Sequence, residues 1–315
     1  MGVPIRKRLR RAAPALYVLA TTWLWSLIPL AVKVAYRSFN FGFITFSRLA
    51  LGTLVFAALE LAARRRMGRP VPGEGHALPG PRRIGVGVWV AIAGVGIAGD
   101  LLLYTLGLRY TTASAATLIV SADGIILALL GVLVLRERLS WLKGAAGVAA
   151  LAGLALVGWN GRDLSALLRS EYLLGNLFVL SAACCWAVYG LGQRVLASTP
   201  GARLFSIFLV GSALAGLVLL AQPVAHSPVQ WGAVLSLAYL GLGATGLAYI
   251  LLVKGMERLE AATVGLIAST LPLFTMVEAH FLMGEQITSY LLGGAALIIA
   301  GVSLVMRHQQ VYGEV

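Results

Sequence analysis

Apolar stretches of about twenty residues, separated by short polar links, recur along the whole chain, and a transmembrane helix needs about that length. The pattern therefore predicts an all-α integral membrane protein with ten membrane-spanning helices. The predicted spans are 15–35, 41–63, 84–108, 111–135, 139–158, 172–194, 203–222, 229–253, 260–283 and 288–306.

The stretch LGLRYTTASAATLIVSADGIILALLGVLVLRERL returns 148 positions later as KGMERLEAATVGLIASTLPLFTMVEAHFLMGEQI. At that constant offset the identical pairs include Gly107 and Gly255, Ala113 and Ala261, Leu118 and Leu266, Ser121 and Ser269, and Glu137 and Glu285. One register holds across two apolar segments and the charged link between them. The chain therefore contains an internal duplication, which in an apolar sequence is typical of transporters built from repeats.

Composition agrees with a membrane protein. The 315 residues are 59% hydrophobic and 12% charged, with a mean hydropathy of +0.87, whereas soluble domains contain about 25% charged residues. The net charge of +13 does not indicate a nucleic-acid partner, because the basic residues lie in short loops between apolar segments. We expect a multi-pass protein of the cytoplasmic membrane that has the lipid bilayer as its surroundings.

Basic residues also predict the orientation. Of the 25 Lys and Arg, nineteen fall on one side of the predicted topology, four fall on the other, and Lys33 and Arg48 fall within spans. Positive residues are enriched on the cytoplasmic side, so both termini are predicted to be cytoplasmic. Because each half then has five spans, the second half must cross the membrane in the opposite sense. The duplication is therefore predicted to be an inverted repeat.

These patterns divide the chain into five segments. They are a basic cytoplasmic N-terminus at 1–14, a first repeat at 15–158 with a cytoplasmic loop at 64–83, an external linker at 159–171, a second repeat at 172–306 and a cytoplasmic tail at 307–315. We predict a monomer or a dimer. Small-residue faces in the fifth and tenth spans suit internal packing or a dimer seam.

Charged residues without a counterpart in the other repeat are the first candidates for function. Asp123 and Asp100 align with Leu271 and Ala248, and Arg48 aligns with Ile207. A charge near the membrane midplane costs about 3 kcal/mol, so these side chains should face a cavity or each other. Arg48 can clamp a substrate carboxylate, and an aspartate held away from water can carry a proton. The alternative is a buried ion pair that fixes helix packing.

Aromatic and small polar residues inside spans extend the candidate list, although each also suits ordinary packing or a bond to its own helix. The candidates for substrate binding or coupling are Trp25, Tyr104, Trp186 and Tyr249, with Ser121, Ser269, Thr270 and His280. His280 and Glu278 either join a pathway or form a satisfied polar pair. Pro29 and Pro272 are predicted to kink or break their spans.

The sequence lacks the motifs that other classes of function require. His76, His226, His280 and His308 are scattered without metal-ligand spacing. The chain has no Gly-rich phosphate loop and no nucleophile elbow. The sequence therefore predicts no enzyme, no metal and no cofactor. Glu137 and Glu285 end matching spans and are predicted to cap or tether span ends.

The residues W-S-x-x-P-x-x-x-K from Trp25 to Lys33, with Arg48 in the next span, resemble the EamA-type family of the drug/metabolite transporter superfamily. Each half also has a small-residue run, a serine and a span that ends in glutamate. Family members usually have proline after that serine, but the first half here has Asp123 and Gly124.

The resemblance implies a secondary transporter, an alternating-access carrier of small metabolites. Amino acids or related compounds are the expected substrates, moved outward, and protons are a possible coupling ion. Sugars, nucleosides or drug-like cations are the alternative substrates. A membrane scaffold that transports nothing is the alternative of another class.

Overall fold

The computed structural model describes residues 5–67, 85–121, 171–195, 200–223, 228–256 and 270–312. It also describes residues 267 and 268 and scattered helical residues between 123 and 156. In these ranges the chain is helical, with turns and short links and no β-strand. The helices are α1 Ile5–Ser26, α2 Ile28–Ala35, α3 Phe41–Met67, α4 Val86–Gly107, α5 Ala113–Val120, α6 Glu171–Val195, α7 Pro200–Leu220, α8 Trp231–Ala238, a π-helix Tyr239–Leu247, α9 Ala248–Met256, α10 Leu271–Met283 and α11 Ser289–Tyr312.

Within the described residues, five segments are long and apolar enough to cross a membrane. They are Ala13–Ala35, Phe41–Ala62, Gly87–Gly107, Tyr172–Gly192 and Trp231–Leu252. Three shorter apolar helices, Leu204–Leu220, Leu271–Met283 and Ser289–Gly301, coincide with further predicted spans. Of the predicted span 111–135, the structure describes residues 111–121 and four isolated residues beyond them. Most of the predicted span 139–158 and of the loop 64–83 lies outside the described residues, as does the linker 159–171 except for its last residue.

Helix ends differ from the predicted segment bounds at three places. α1 begins at Ile5, within the segment predicted as a basic terminus, and α3 continues to Met67 into the predicted loop. α11 continues to Tyr312, beyond the predicted end of the last span. Hydropathy marks where apolar residues stop, whereas a helix continues for as long as its backbone hydrogen bonds are made.

Both predicted breaks at proline are present. α1 ends at Ser26 and α2 begins at Ile28, with Pro29 in the first turn of α2. α10 begins at Leu271 after a turn at Thr270, with Pro272 in its first turn. Proline has no N–H and clashes with the preceding turn, so the continuous helix is interrupted just before it. The break in the first span leaves carbonyls near Ser26 for side chains of other helices.

Interhelical packing depends on close backbone approach. α4 packs along α6, α3 packs along α7, and α1 packs along α9. A Cβ atom at Gly96 on α4 would lie 2.7 Å from the Tyr189 backbone nitrogen on α6. A Cβ atom at Gly175 would lie 2.7 Å from the Tyr110 carbonyl carbon. Glycine at both positions therefore permits the contact, as small residues do between membrane helices.

Glu285 holds the start of α5 from the other half of the sequence. Its Oε1 accepts a hydrogen bond from the Ala113 N–H at 2.8 Å. Its Oε2 accepts from the Ser114 N–H at 3.1 Å and from the Ser114 hydroxyl at 2.8 Å. A carboxylate at a helix N-terminus satisfies free N–H groups and interacts favourably with the helix dipole. The tether predicted for Glu285 is therefore present, whereas Glu137 lies outside the described residues.

We expect Glu285→Ala to lower the free energy of unfolding by about 2 kcal/mol, because three donors at the start of α5 lose a charged acceptor. Thermal unfolding of the detergent-solubilised protein measures the loss. Gln286→Ala, at the exposed neighbouring position, is the control and should unfold like the wild type. Equal stability of the two variants would contradict the tether.

Candidate functional site

Arg48 lies inside the helix bundle on α3, with 6% of its surface exposed. Its Nε donates a hydrogen bond to the Thr245 hydroxyl at 3.1 Å, and that hydroxyl donates to the Leu240 carbonyl at 2.8 Å. In the described part of the chain, Thr245 is the hydrogen-bond partner of the guanidinium. The planar group is thus held by one edge, and the N–H groups of its two Nη atoms remain for another acceptor.

The π-helix Tyr239–Leu247 supplies the groups that hold the site. Thr245 and Leu240 are five residues apart, the hydrogen-bond spacing of a π-helix. The Ala244 carbonyl accepts a hydrogen bond from Trp25 Nε1 at 3.0 Å, and the Tyr239 hydroxyl donates to the Leu24 carbonyl. One irregular segment therefore positions Arg48 from α3 and Trp25 from α1. Short π segments inside helices often mark functional sites.

Glycine lets α3 approach the π-helix. A Cβ atom at Gly241 would lie 2.4 Å from the Leu51 Cβ atom, and one at Gly52 would lie 2.5 Å from Thr245 Cγ2. Both contacts are far shorter than real side chains allow. The two glycines therefore bring the backbone that carries Arg48 within hydrogen-bond distance of Thr245.

Two aspartates share the region of Arg48. Asp100, on α4, is 7% exposed and interacts electrostatically with Arg48 and with Asp123. Asp123 is half-buried. Among the described residues, Arg48 and Asp100 make no ion pair within 4.0 Å. The two groups are therefore near neighbours without direct contact, and a ligand with charges of both signs can bridge them.

Aromatic rings border the charged residues. The Trp25 ring packs edge-on against Trp186 with centroids 6.3 Å apart, and against Tyr249 with centroids 5.7 Å apart. Tyr249 and Tyr104 both interact electrostatically with Arg48. The structure thus brings together six residues that the sequence singled out, from five helices: Trp25, Arg48, Asp100, Tyr104, Trp186 and Tyr249.

Three other sequence candidates do not join this cluster. Ser121 donates to the Thr117 carbonyl at 2.8 Å, and Thr270 donates to the Ile267 carbonyl at 2.7 Å, so both hydroxyls bond their own backbone. His280 is exposed, and its Nδ1 lies 2.9 Å from the Glu285 carbonyl oxygen. It therefore does not pair with Glu278. Ser269 lies outside the described residues.

Sequence reasoning missed two residues of the cluster. Thr245 orients Arg48, and Tyr239 bonds the Leu24 carbonyl. A single threonine in an apolar span gives no signal of this role. The run YLGLGATGL was rich enough in glycine to suggest close packing, but apolar periodicity does not reveal a π-helix.

A separate cavity of about 420 Å³ lies at the end of α2 and is lined by none of the predicted site residues. Lys33 and Arg109 contribute its positive charges. Burial raises the pKa of the Tyr36 phenol above its ordinary value, although the positive charge of Arg109 opposes that shift. The neutral phenol donates to the Thr105 carbonyl at 2.7 Å. Within the described residues, no group of three His, Cys, Asp or Glu side chains could hold a metal ion.

Comparison with known proteins identifies the family. The model of the EamA-like transporter family matches residues 13–159 and again residues 173–307. The chain belongs to this family. The resemblance seen in the sequence is thereby confirmed, and the protein is a multi-pass integral membrane transporter. Membership of the family indicates a transporter rather than an enzyme.

Relatives of this EamA-like transporter include the uncharacterized inner membrane transporter YhbE of Escherichia coli K12. It is 25% identical over 268 residues, which cover 85% of this chain and 80% of the relative. A probable terminal-alkyne amino-acid exporter of Streptantibioticus cattleyicolor is 25% identical over 307 residues, which cover 95% of each chain. A solved crystal structure with 22% identity has the same fold, with a TM-score of 0.61 over 95% of this chain and 98% of that one.

The bond between Thr245 and Arg48 can be tested by a double-mutant cycle. We expect Thr245→Val and Arg48→Met to show a coupling of about 1.5 kcal/mol in the free energy of unfolding, because the hydroxyl bonds a charged group. Unfolding in mixed micelles measures it.

Thr53→Val is the matched control for the cycle. Thr53 is also a buried threonine, and its hydroxyl lies 2.9 Å from the Ser212 hydroxyl rather than near Arg48. The effects of Thr53→Val and Arg48→Met on the free energy of unfolding should add. If the effects of Thr245→Val and Arg48→Met also add, Thr245 does not hold the guanidinium.

Proposed function

We propose that this protein is a secondary carrier that exports amino acids or related small metabolites by alternating access. One observation carries the proposal. A guanidinium whose Nη groups have no hydrogen-bond partner among the described residues lies beside aspartate charges and aromatic rings in the interior of a membrane bundle. An α-amino acid has matching charges of both signs next to a variable side chain.

In this proposal Arg48 binds the substrate carboxylate. The two Nη groups match the two carboxylate oxygens, which makes a bidentate pair. Asp100, with Asp123 beside it, takes the substrate ammonium group. Because Arg48 and Asp100 are neighbours without an ion pair, the ligand can bind both groups without first breaking a bond between them.

The aromatic residues receive the substrate side chain. Trp25, Trp186 and Tyr249 form an apolar surface beside the charges. Aromatic walls with a few oriented polar groups are typical of small-molecule sites. The proposed specificity is therefore for amino acids with apolar side chains.

The proposed architecture is ten spans in two inverted repeats, with both termini cytoplasmic. Packing between the helices supports it. Where α1 packs along α9, its sequence counterpart α6 packs along α4, and where α1 contacts α10, α6 contacts α5. A two-fold relation between repeats produces such reciprocal pairs, and sites of repeat transporters lie at the interface between the halves. The two separate matches to the family model also support it.

Export is the proposed direction. The relative of Streptantibioticus cattleyicolor is named a probable amino-acid exporter, and this chain aligns with it along 95% of both lengths.

A drug-like cation is the second candidate substrate. It is favoured by the two aspartates beside Arg48, which together carry more charge than that arginine, and by the aromatic faces that attract cations.

We expect proteoliposomes that contain the protein to exchange labelled amino acids, and Arg48→Ala to raise KM at least about 100-fold. The loss follows from removing two charge-assisted hydrogen bonds to the carboxylate. Arg109→Ala, which removes an exposed arginine, is the control and should keep the wild-type KM.

Three outcomes separate the candidates. Exchange that depends on Arg48 supports the amino-acid carrier. Exchange of drug-like cations that depends on Asp100 but not on Arg48 supports the second candidate. Well-folded protein that moves neither class contradicts the proposal and favours sugars, nucleosides or a scaffold without transport.

A further inference from the structure

Glu278 has unusual surroundings for a glutamate inside a membrane bundle. It lies on α10 beside the break between α1 and α2, and its Oε1 is 3.0 Å from the Ser26 hydroxyl oxygen. Its Oε2 is buried and has no hydrogen-bond partner in the described part of the chain. Ser26 itself is fully buried. An ionised carboxylate would have one donor at most here, whereas buried charges normally have several.

The hydrogen atoms decide which form of Glu278 fits. The Ser26 hydroxyl oxygen lies 2.8 Å from the Trp23 carbonyl as well as 3.0 Å from Glu278 Oε1. A hydroxyl has one hydrogen to donate, and a carbonyl oxygen accepts only. Both contacts are two-centre hydrogen bonds only if Ser26 donates to Trp23 and Glu278 donates to Ser26. Glu278 can donate only when its carboxyl group carries a proton.

Glu285 provides the contrast within the same chain. Its two oxygens accept three hydrogen bonds from two N–H groups and one hydroxyl. That donor set suits an ionised carboxylate, whereas the set around Glu278 suits a neutral carboxyl group. The two glutamates lie seven positions apart in the sequence, with Glu278 within α10 and Glu285 just beyond its end.

We infer that Glu278 is a proton-binding site and that its proton is a coupling ion of transport. The proton site stands on the hydrogen bonds alone, and the coupling role rests on the proposed function. When the proton leaves to water, the Ser26 hydroxyl turns from the Trp23 carbonyl to Glu278 Oε1.

Loss of the proton from Glu278 affects the candidate site through the backbone of α1. Ser26 directly follows Trp25, whose ring lies in the aromatic cluster. The Ser26 carbonyl also accepts a hydrogen bond from the Thr275 hydroxyl of α10 at 2.9 Å. A rearrangement at Ser26 therefore acts on the end of α1 that carries Trp25 and on its contact with α10.

Among the described residues, Tyr239 of the π-helix interacts electrostatically with Glu278. The other titratable groups on elements packed against α10 are Tyr17 and the basic run of α1, and Lys33 of α2, which donates to the Thr111 carbonyl. On α10 itself, His280 contacts the Glu285 carbonyl. The described residues of α5 contribute no titratable side chain.

Infrared difference spectroscopy of the purified protein across a pH titration tests the proton site without a substrate. We expect Glu278→Gln to lose one carbonyl band of a protonated carboxyl group, while Glu285→Gln keeps that band. The glutamine amide can donate to Ser26 as the protonated acid does, so the variant should fold. Ser26→Ala, as a second variant, should keep the band at a shifted frequency. Spectra of wild type and Glu278→Gln with the same protonated-carboxyl bands would overturn the proton site.

Transport then tests the coupling role. In proteoliposomes with a pH gradient, the wild type should accumulate the amino acid, whereas Glu278→Gln should exchange it at the wild-type rate without accumulation. Accumulation by Glu278→Gln would overturn the coupling role. If the wild type moves no amino acid, the proposed function fails, and the infrared result still decides whether Glu278 holds a proton.

Discussion

The guanidinium of Arg48 lies inside a bundle of helices that lipid surrounds, and its charge has to be balanced there. Isolated charges at membrane depth are expensive, so they persist where they face partners or a cavity. The described residues supply part of the balance, through one hydrogen bond from Nε to Thr245 and the nearby charge of Asp100. The incomplete balance leaves a place for the carboxylate of a ligand, and the neighbouring helices are arranged around it.

Irregular backbone makes this arrangement possible. The π-helix Tyr239–Leu247 directs Thr245 to Arg48 and offers the Ala244 carbonyl to Trp25, while the break at Pro29 leaves the Leu24 and Ser26 carbonyls for Tyr239 and Thr275. In lipid, free backbone groups are tolerated only where protein or a cavity satisfies them. The break before α2 and the π-helix are each matched by side chains from another helix. These contacts join segments from both ends of the sequence around one centre.

Much of the fold follows from the sequence because lipid imposes a simple rule on helix length and polarity. Spans such as 41–63 and 229–253 could therefore be located from hydropathy. The helix breaks could be predicted because proline has no N–H and clashes with the preceding turn. The comparison between repeats singled out Arg48 and Asp100, since a charge without a counterpart is not needed by the shared architecture. The aromatic rings of Trp25, Trp186 and Tyr249 also meet beside them.

Other parts of the site could not be read from the sequence. Ser121 and Thr270 bond their own helices, because a hydroxyl has a carbonyl of its own helix within reach whichever way the helix faces. Thr245 was missed because its role depends on a π-helix, which arises from tertiary contacts and changes no apolar period. Glu278 and His280 were considered as a polar pair, but a turn at Gly284 brings the Glu285 carbonyl to His280 and leaves Glu278 to Ser26.

Calorimetric titration of the purified protein with three related ligands tests the central claim most directly. The ligands are an apolar L-amino acid, the amine that lacks its carboxylate, and the N-acetylated acid that lacks the free ammonium. If Arg48 binds the substrate carboxylate and the aspartates bind its ammonium group, the amino acid binds at least about tenfold more tightly than either analogue. If the amine binds as tightly as the amino acid, Arg48 does not hold a carboxylate, and this account of the site is wrong.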